Sequence, residues 1–172
     1  ALRVYEGTSP THTIWTATAN ASGDYSYTIS GGLPMSVSST SGSATTEYLF
    51  LKNTSNAWVL TYGSPGTLTA VSDADYPTST VPGAVYLDGY IFVMDADGII
   101  YNCDLEDPTS WNALNFISAE IEPDNGIALA KHQNYIVAFK DKTTELFYDA
   151  GNPSGSPLAR LSNAAIQIGC GA

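Results

Sequence analysis

Three times along this chain an aromatic-led apolar strand is followed by a short polar turn and a second apolar strand. The first unit is Tyr48–Leu51, a turn over Lys52–Asn56, then Ala57–Tyr62. The second is Tyr90–Met94, a turn over Asp95–Gly98, then Ile99–Tyr101. The third is Tyr135–Phe139, a turn over Lys140–Thr143, then Thr144–Tyr148. The leading residues Tyr48, Tyr90 and Tyr135 stand 42 and 45 residues apart. No proline interrupts these strands, as central strands of a sheet require. A small sheet built from such a hairpin has two apolar faces and must stack on neighbours to bury them. Hairpins repeating every 40–50 residues are therefore the pattern of a β-propeller. The expected fold class is all-β, with antiparallel β-propeller-like blades.

Further strands are expected between the hairpins, at Thr67–Ser72, Ala84–Leu87, Ile127–Lys131 and Leu158–Ile168. Three to four blades fit the chain, whereas a closed ring takes about four to eight. The expectation is a partial propeller, or a fragment of a longer chain. A start at Ala1 without Met and an end at Gly-Cys-Gly-Ala agree with that expectation.

Composition changes near residue 46. Residues 16–46 are rich in Thr, Ser, Ala and Gly. His12–Thr18 and Tyr25–Ile29 alternate apolar and polar residues around a turn at Asn20–Asp24, which predicts a hairpin. Ser30–Thr45 reads as a loop with a short extended piece over Met35–Ser38. The expected division is a Ser/Thr/Gly-rich hairpin region or arm over 1–46 and propeller blades over 47–172. Asp107–Glu120 reads as a long loop with at most one helical turn, because Trp111, Leu114 and Phe116 fit helical spacing poorly.

Hydrophobic residues make up 44% of the chain and charged ones 13%, which excludes a disordered tail. No apolar run approaches the roughly 20 residues of a membrane-spanning helix, and no basic, apolar leader opens the chain. The formal net charge is −11. From Asn53 through Ala130 there is no Lys or Arg, while Asp73, Asp75, Asp88, Asp95, Asp97, Asp104, Glu106, Asp107, Glu120, Glu122 and Asp124 all fall there. Such a surface repels phosphates, so sequence-specific nucleic-acid reading is not expected. Two readings remain open: a solvated acidic surface, or one that docks a basic partner or lets DNA slide past. Cys103 and Cys170 match no zinc or redox spacing, and free thiols are expected over a long-range disulfide.

Catalytic signatures are missing. There is no nucleophile elbow, zinc-protease motif, phosphate loop or dinucleotide fingerprint. His12 and His132 have no zinc-type partner nearby. Asp95-Ala-Asp97-Gly98 resembles the start of a calcium loop but lacks the later ligands, and these are also good turn residues. Asp104, Glu106, Asp107 and Glu120 could offer a carboxylate pair for glycoside hydrolysis, or could simply cap a loop. Strand aromatics such as Tyr48, Trp58, Tyr90 and Tyr135 are expected to pack blades rather than bind sugar. Trp111, placed in the predicted loop, is the candidate interface anchor. The Asn-x-Ser/Thr sequences at Asn20 and Asn53 carry little weight. No catalytic residue, cofactor or metal is expected.

One family resemblance emerges from Tyr76 to Cys170. Its motifs are Asp75-Tyr-Pro77, Tyr86-Leu-Asp-Gly-Tyr90-Ile-Phe-Val, and Asp104-Leu-Glu-Asp-Pro-Thr-Ser-Trp-Asn-Ala-Leu-Asn-Phe-Ile-Ser-Ala-Glu120 followed by Pro123-Asp124. Then come Thr143-Thr-Glu-Leu-Phe-Tyr-Asp-Ala-Gly-Asn152, Pro157-Leu-Ala-Arg160 and Ile168-Gly-Cys170. In order and spacing these pieces resemble the packaged-DNA stabilisation, or tail-hub, proteins of short-tailed bacteriophages. The family usually has Ser at the position of Cys103 and commonly Trp at that of Phe147.

The resemblance implies a non-enzymatic virion protein of the tail, assembled in the host cytoplasm. It implies a homo-oligomeric ring, generally a hexamer, below the portal and its adaptor. Such a ring extends the DNA channel, helps retain packaged DNA and anchors tail spike, fibre or needle proteins. DNA would pass without sequence-specific binding. The motif and interface candidates are Asp104, Asp107, Trp111, Phe116, Glu120, Glu145, Tyr148 and Gly151. The alternatives are a receptor- or polysaccharide-binding tail module, or a glycosidase propeller.

Overall fold

A computed structural model describes residues 4–6, 16–19, 25–29, 36–41, 47–61, 67–162 and 164–171. The chain divides into two compact units, Ala1–Pro34 with Gly63–Pro65 and Met35–Tyr62 with Gly66–Ala172. In the first unit, β1 (Val4–Glu6), β2 (Thr16–Ala19) and β3 (Tyr25–Ile29) form a three-stranded sheet. β3 lies between the others, antiparallel to β2 and parallel to β1. The expected hairpin thus pairs from Thr16 onward; its turn at Asn20–Asp24, together with His12 and Trp15, lies outside the described residues.

The second unit holds three four-stranded antiparallel sheets, each a simple meander. Blade 1 is β4 (Ser36–Ser41), β5 (Glu47–Lys52), β6 (Ala57–Thr61) and β7 (Thr67–Ala70). Blade 2 is β8 (Val85–Leu87), β9 (Tyr90–Met94), β10 (Ile99–Asp104) and β11 (Asp107–Ser118). Blade 3 is β12 (Gly126–His132), β13 (Tyr135–Lys140), β14 (Thr144–Asp149) and β15 (Leu158–Arg160). The first strands of the blades are neighbours: β8 lies against β4 and against β12. That is the arrangement of inner strands in a propeller. No helix occurs among the described residues.

Strand alternation gives each blade two apolar faces. In β9, Ile91 and Val93 point toward blade 1 and join Phe50, Ala57 and Val59 in one buried cluster. Phe92 and Met94 point the other way and join Ile136, Ala138 and Phe147 of blade 3 in a second. The all-β propeller expectation and its three hairpins are therefore observed, with the core held between blades rather than within any one of them.

Three expectations change. Asp107–Glu120 is not a loop, since Asp107–Ser118 is the longest strand of the molecule's described residues, at 12 residues. Trp111 pairs with Cys103 and Phe116 with Tyr101, so Asn112–Asn115 stand opposite Asn102 alone. This bulge breaks the period of two and hides the strand in the sequence. Pro108 is tolerated because β11 is an edge strand. Second, Ser36–Ser41 is a full strand, so the composition change at residue 46 falls between β4 and β5, inside one sheet. Third, Leu158–Ile168 is strand only over Leu158–Arg160, with an isolated bridge between Thr144 and Ile166.

Candidate functional site

The chemistry-bearing residues gather at the two junctions between blades. At the junction of blades 1 and 2, the connecting segment 71–84 crosses the β5–β6 turn, where Thr80 N donates to Thr54 O at 2.7 Å. The Asp73 carboxylate accepts from Asp75 N at 2.9 Å and from Trp111 N at 3.1 Å. These two N–H groups hold its carboxyl below the usual range. Trp111 is 4% exposed. Its Nε1 donates to Pro108 O at 3.1 Å, and its ring meets Tyr76 edge-on at 4.9 Å. Trp111 is therefore a core residue that clamps the bulged strand against the connecting segment, rather than a loop residue.

Lys52 supports the same junction. Its side chain is buried and its Nζ donates to Val81 O at 2.8 Å. Burial lowers its pKa to about 8. Cys103 lies beneath, a free buried thiol whose Sγ accepts from Ile91 N at 3.1 Å. Burial pushes it up to about 12, which leaves it a packing residue without nucleophilic character. Cys170 is also free.

The junction of blades 2 and 3 is ionic. Lys140 Nζ lies 2.6 Å from Asp124 Oδ1 and 3.5 Å from Glu145 Oε1. Glu145 Oε2 lies 2.8 Å from Arg160 Nε. Backbone groups complete the cluster: Ile121 N donates to Glu145, Lys140 Nζ to Glu122 O, and Arg160 Nη2 to Ser118 O. Burial pushes Asp124 up, but Lys140 and the N–H groups of Lys142 and Thr143 outweigh it and bring the carboxyl down to about 2. Each buried charge faces an opposite one, and Lys140, Asp124 and Glu145 Oε1 are hydrogen-bonded as well, whereas Glu145 Oε2 and Arg160 Nε meet as an ion pair without a hydrogen bond.

The remaining motif residues are peripheral. Asp104 accepts from Ser110 Oγ at 2.8 Å and Asn115 Nδ2 at 3.2 Å, which braces the bulge. Asp107 accepts from Thr109 N at 3.0 Å. Phe116 is 43% exposed and touches Tyr101. Glu120 is exposed just beyond β11. Tyr148 is 38% exposed on β14, and Gly151 sits in the following turn at φ 64°.

These positions bear on the chemistry considered from sequence. Asp104 and the partner of Ser118, Ile99, stand at opposite ends of β10. Five residues of strand separate them by about 17 Å, so Glu120 stands far beyond the ~5–10 Å of a glycosidase carboxylate pair with Asp104 or Asp107. Asp95 spends its carboxylate on the N–H groups of Asp97 and Ile99 and on Tyr101 Oη, as a turn residue does. Among the described residues no group of three His, Cys, Asp or Glu gathers to hold a metal.

Lys52, Lys140 and Asp73 were missed by motif reasoning. A usable signal was present, since Lys52 and Lys140 each close the first strand of a hairpin in a chain with only six Lys and Arg. No individual curated protein matches the chain. A family model does match, described as Phage_stabilise: Bacteriophage P22 Gp10, beta-propeller, over residues 18–172. That span takes in all three blades and both junctions, so the chain belongs to this phage-stabilisation family of structural β-propeller proteins.

Proposed function

We propose that this protein is a tail hub or nozzle component, a ring below the portal and adaptor that extends the DNA channel and anchors other tail parts. Family membership supports a structural role in the phage particle and in stabilising its DNA. The observation that carries the finer reading is the acidic surface. Asp75, Asp88, Asp97, Asp104, Glu106, Asp107, Glu120 and Glu122 are exposed on a stretch that has no Lys or Arg to balance them. A wall of this sign does not hold a phosphate backbone, so DNA can be retained behind it and released past it. Contacts with the portal-adaptor protein and with spikes, fibres or needle belong to the same proposal.

The test is charge reversal at exposed positions that brace nothing in the fold, such as Asp97→Lys, Glu120→Lys and Glu122→Lys together. Particles carrying the triple variant should assemble and eject DNA more slowly, with the effect shrinking as salt rises. Ejection at the parental rate would overturn the channel reading.

A further inference from the structure

Lys140 stands where blade 2 has Met94: each closes the second strand of its blade, and each is buried. Met94 shows that stacked blades need no charge at this position. A buried ion pair is weak support for a fold in itself, since an apolar residue of similar volume often does as well. Lys52, the counterpart in blade 1, donates to Val81 O and forms no ion pair among the described residues. Blade 3 instead brings two acids to its lysine, and their arrangement is that of a reaction site.

A nucleophile, an electrophile and a proton carrier meet there. Lys140 Nζ is 2.6 Å from Asp124 Oδ1, with both side chains 1% exposed. At ordinary hydrogen-bond angles that contact leaves Nζ about 3–3.5 Å from the carboxyl carbon, a near-attack separation. The other oxygen, Oδ2, accepts from Lys142 N at 2.8 Å, Thr143 N at 3.0 Å and Thr143 Oγ1 at 3.1 Å. Donors so placed stabilise the negative charge that an attacked carboxyl puts on that oxygen. Glu145 Oε1 lies 3.5 Å from Nζ, and the Glu145 side chain is fully buried. Its other oxygen faces Arg160 Nε at 2.8 Å, which holds the carboxylate in place as a base.

The geometry points to an intramolecular amide bond between Lys140 Nζ and the Asp124 side chain, formed after folding. The buried ion pair is the reactant. Glu145 carries one proton from the ammonium to Oδ1, leaving an amine beside a neutral carboxyl. The nitrogen lone pair then adds to the carboxyl carbon, and the carbonyl electrons move onto Oδ2. Glu145 carries a second proton from the nitrogen to Oδ1, the bond from carbon to Oδ1 breaks, and one water leaves. Ammonium and carboxylate thus become amide and water, with no oxidant, metal or co-substrate. In the product Oδ2 is an amide oxygen that keeps its three donors. The new N–H keeps Glu122 O, which Nζ already meets at 2.6 Å. Because the Asp124 carboxyl is held down at about 2, the first proton transfer is uphill and closure is slow. The bond ties the segment entering blade 3 to β13, and unfolding cannot separate them.

Intact-mass and peptide spectrometry of the purified 172-residue chain, held folded at neutral pH for several days, tests it. Most molecules should become lighter than their sequence by one water. Trypsin should then release residues 53–131 joined to 132–142, because it no longer cuts after Lys140. A succinimide at Asp88-Gly89 or Asp97-Gly98 also loses one water, but it leaves 53–131 and 132–140 separate. Lys140→Arg, which keeps the charge, should keep its full mass. Glu145→Gln should close about a hundredfold more slowly, and the parent chain held unfolded in urea should not close. A parent chain that retains its full mass, or whose lost water maps only to separate peptides, would overturn the proposal. So would linkage at the parental rate in urea, or in Glu145→Gln chains that circular dichroism shows to be folded.

Discussion

Lys140 Nζ and Asp124 Oδ1 meet at 2.6 Å with both side chains only 1% exposed, one on the last residue of β13 and the other on the segment that delivers β12. The pair fixes the entry of blade 3 to its own central hairpin. Glu145 and Arg160 extend it across β14 and β15 to the end of blade 2 at Ser118.

Removing Lys140 from this cluster leaves Asp124 buried without its cation and Glu145 with Arg160 alone. Lys140→Met should therefore destabilise the fold by about 3–5 kcal/mol. A urea titration followed by circular dichroism measures it. Adding Asp124→Asn should restore part of the loss, because the two changes are coupled. A cost below about 1 kcal/mol for Lys140→Met would show the cluster to be dispensable.

Acid should act through the same pair. A carboxyl with a depressed folded pKa stabilises the fold above its unfolded value of about 3.9, and that contribution is lost as pH falls through the folded value. For Asp124 the folded value is about 2, so the loss runs from about pH 4 down to about pH 2. Stability measured across that range should fall less steeply in Asp124→Asn than in the parent protein. Parallel curves would contradict the assignment.

Trp111 is predicted to be a stability residue. Trp111→Ala should cost about 3–5 kcal/mol by opening a cavity against Phe50 and Tyr76. Trp111→Phe should cost about 1 kcal/mol more than its lost volume alone, through the missing bond to Pro108 O. Denaturant midpoints of the two variants check this. A near-neutral Trp111→Ala would contradict that role.

The two thiols should differ. Cys103 is 1% exposed and its pKa is pushed up to about 12, whereas Cys170 lies on the partly open edge of a groove on blade 3. In the native protein a maleimide should label Cys170 and spare Cys103 until denaturant is added. Mass spectrometry of the labelled peptides reads the outcome, and equal rates would be inconsistent with the packing at the first junction.

The hairpins were legible because they obey one short-range rule: an apolar strand led by a tyrosine, a turn rich in Asn, Asp, Gly or Lys, and a second apolar strand. Tyr90–Met94, the turn after it and the start of Ile99–Asp104 follow it. β11 was not legible because Asn112–Asn115 bulge out opposite Asn102, so its apolar residues fall out of step. The burial of Trp111 followed from that strand and was hidden with it. β4 was hidden differently, since Ser36–Ser41 is a strand of small polar residues whose identity comes from pairing with β5. The ionic cluster is a tertiary feature. Asp124, Lys140, Glu145 and Arg160 lie on the lead-in to β12 and on β13, β14 and β15, and only the folding of blade 3 brings them together.

The central claim is that these blades form part of a ring on the axis of a phage tail. A localised cryo-electron reconstruction of the particle tests it most directly. The account predicts copies of this propeller arranged as a closed ring beneath the portal and adaptor, with the acidic stretch from Asn53 to Ala130 turned toward the DNA. Copies found only at the outer ends of tail fibres, or a ring whose channel is lined by other residues, would contradict it.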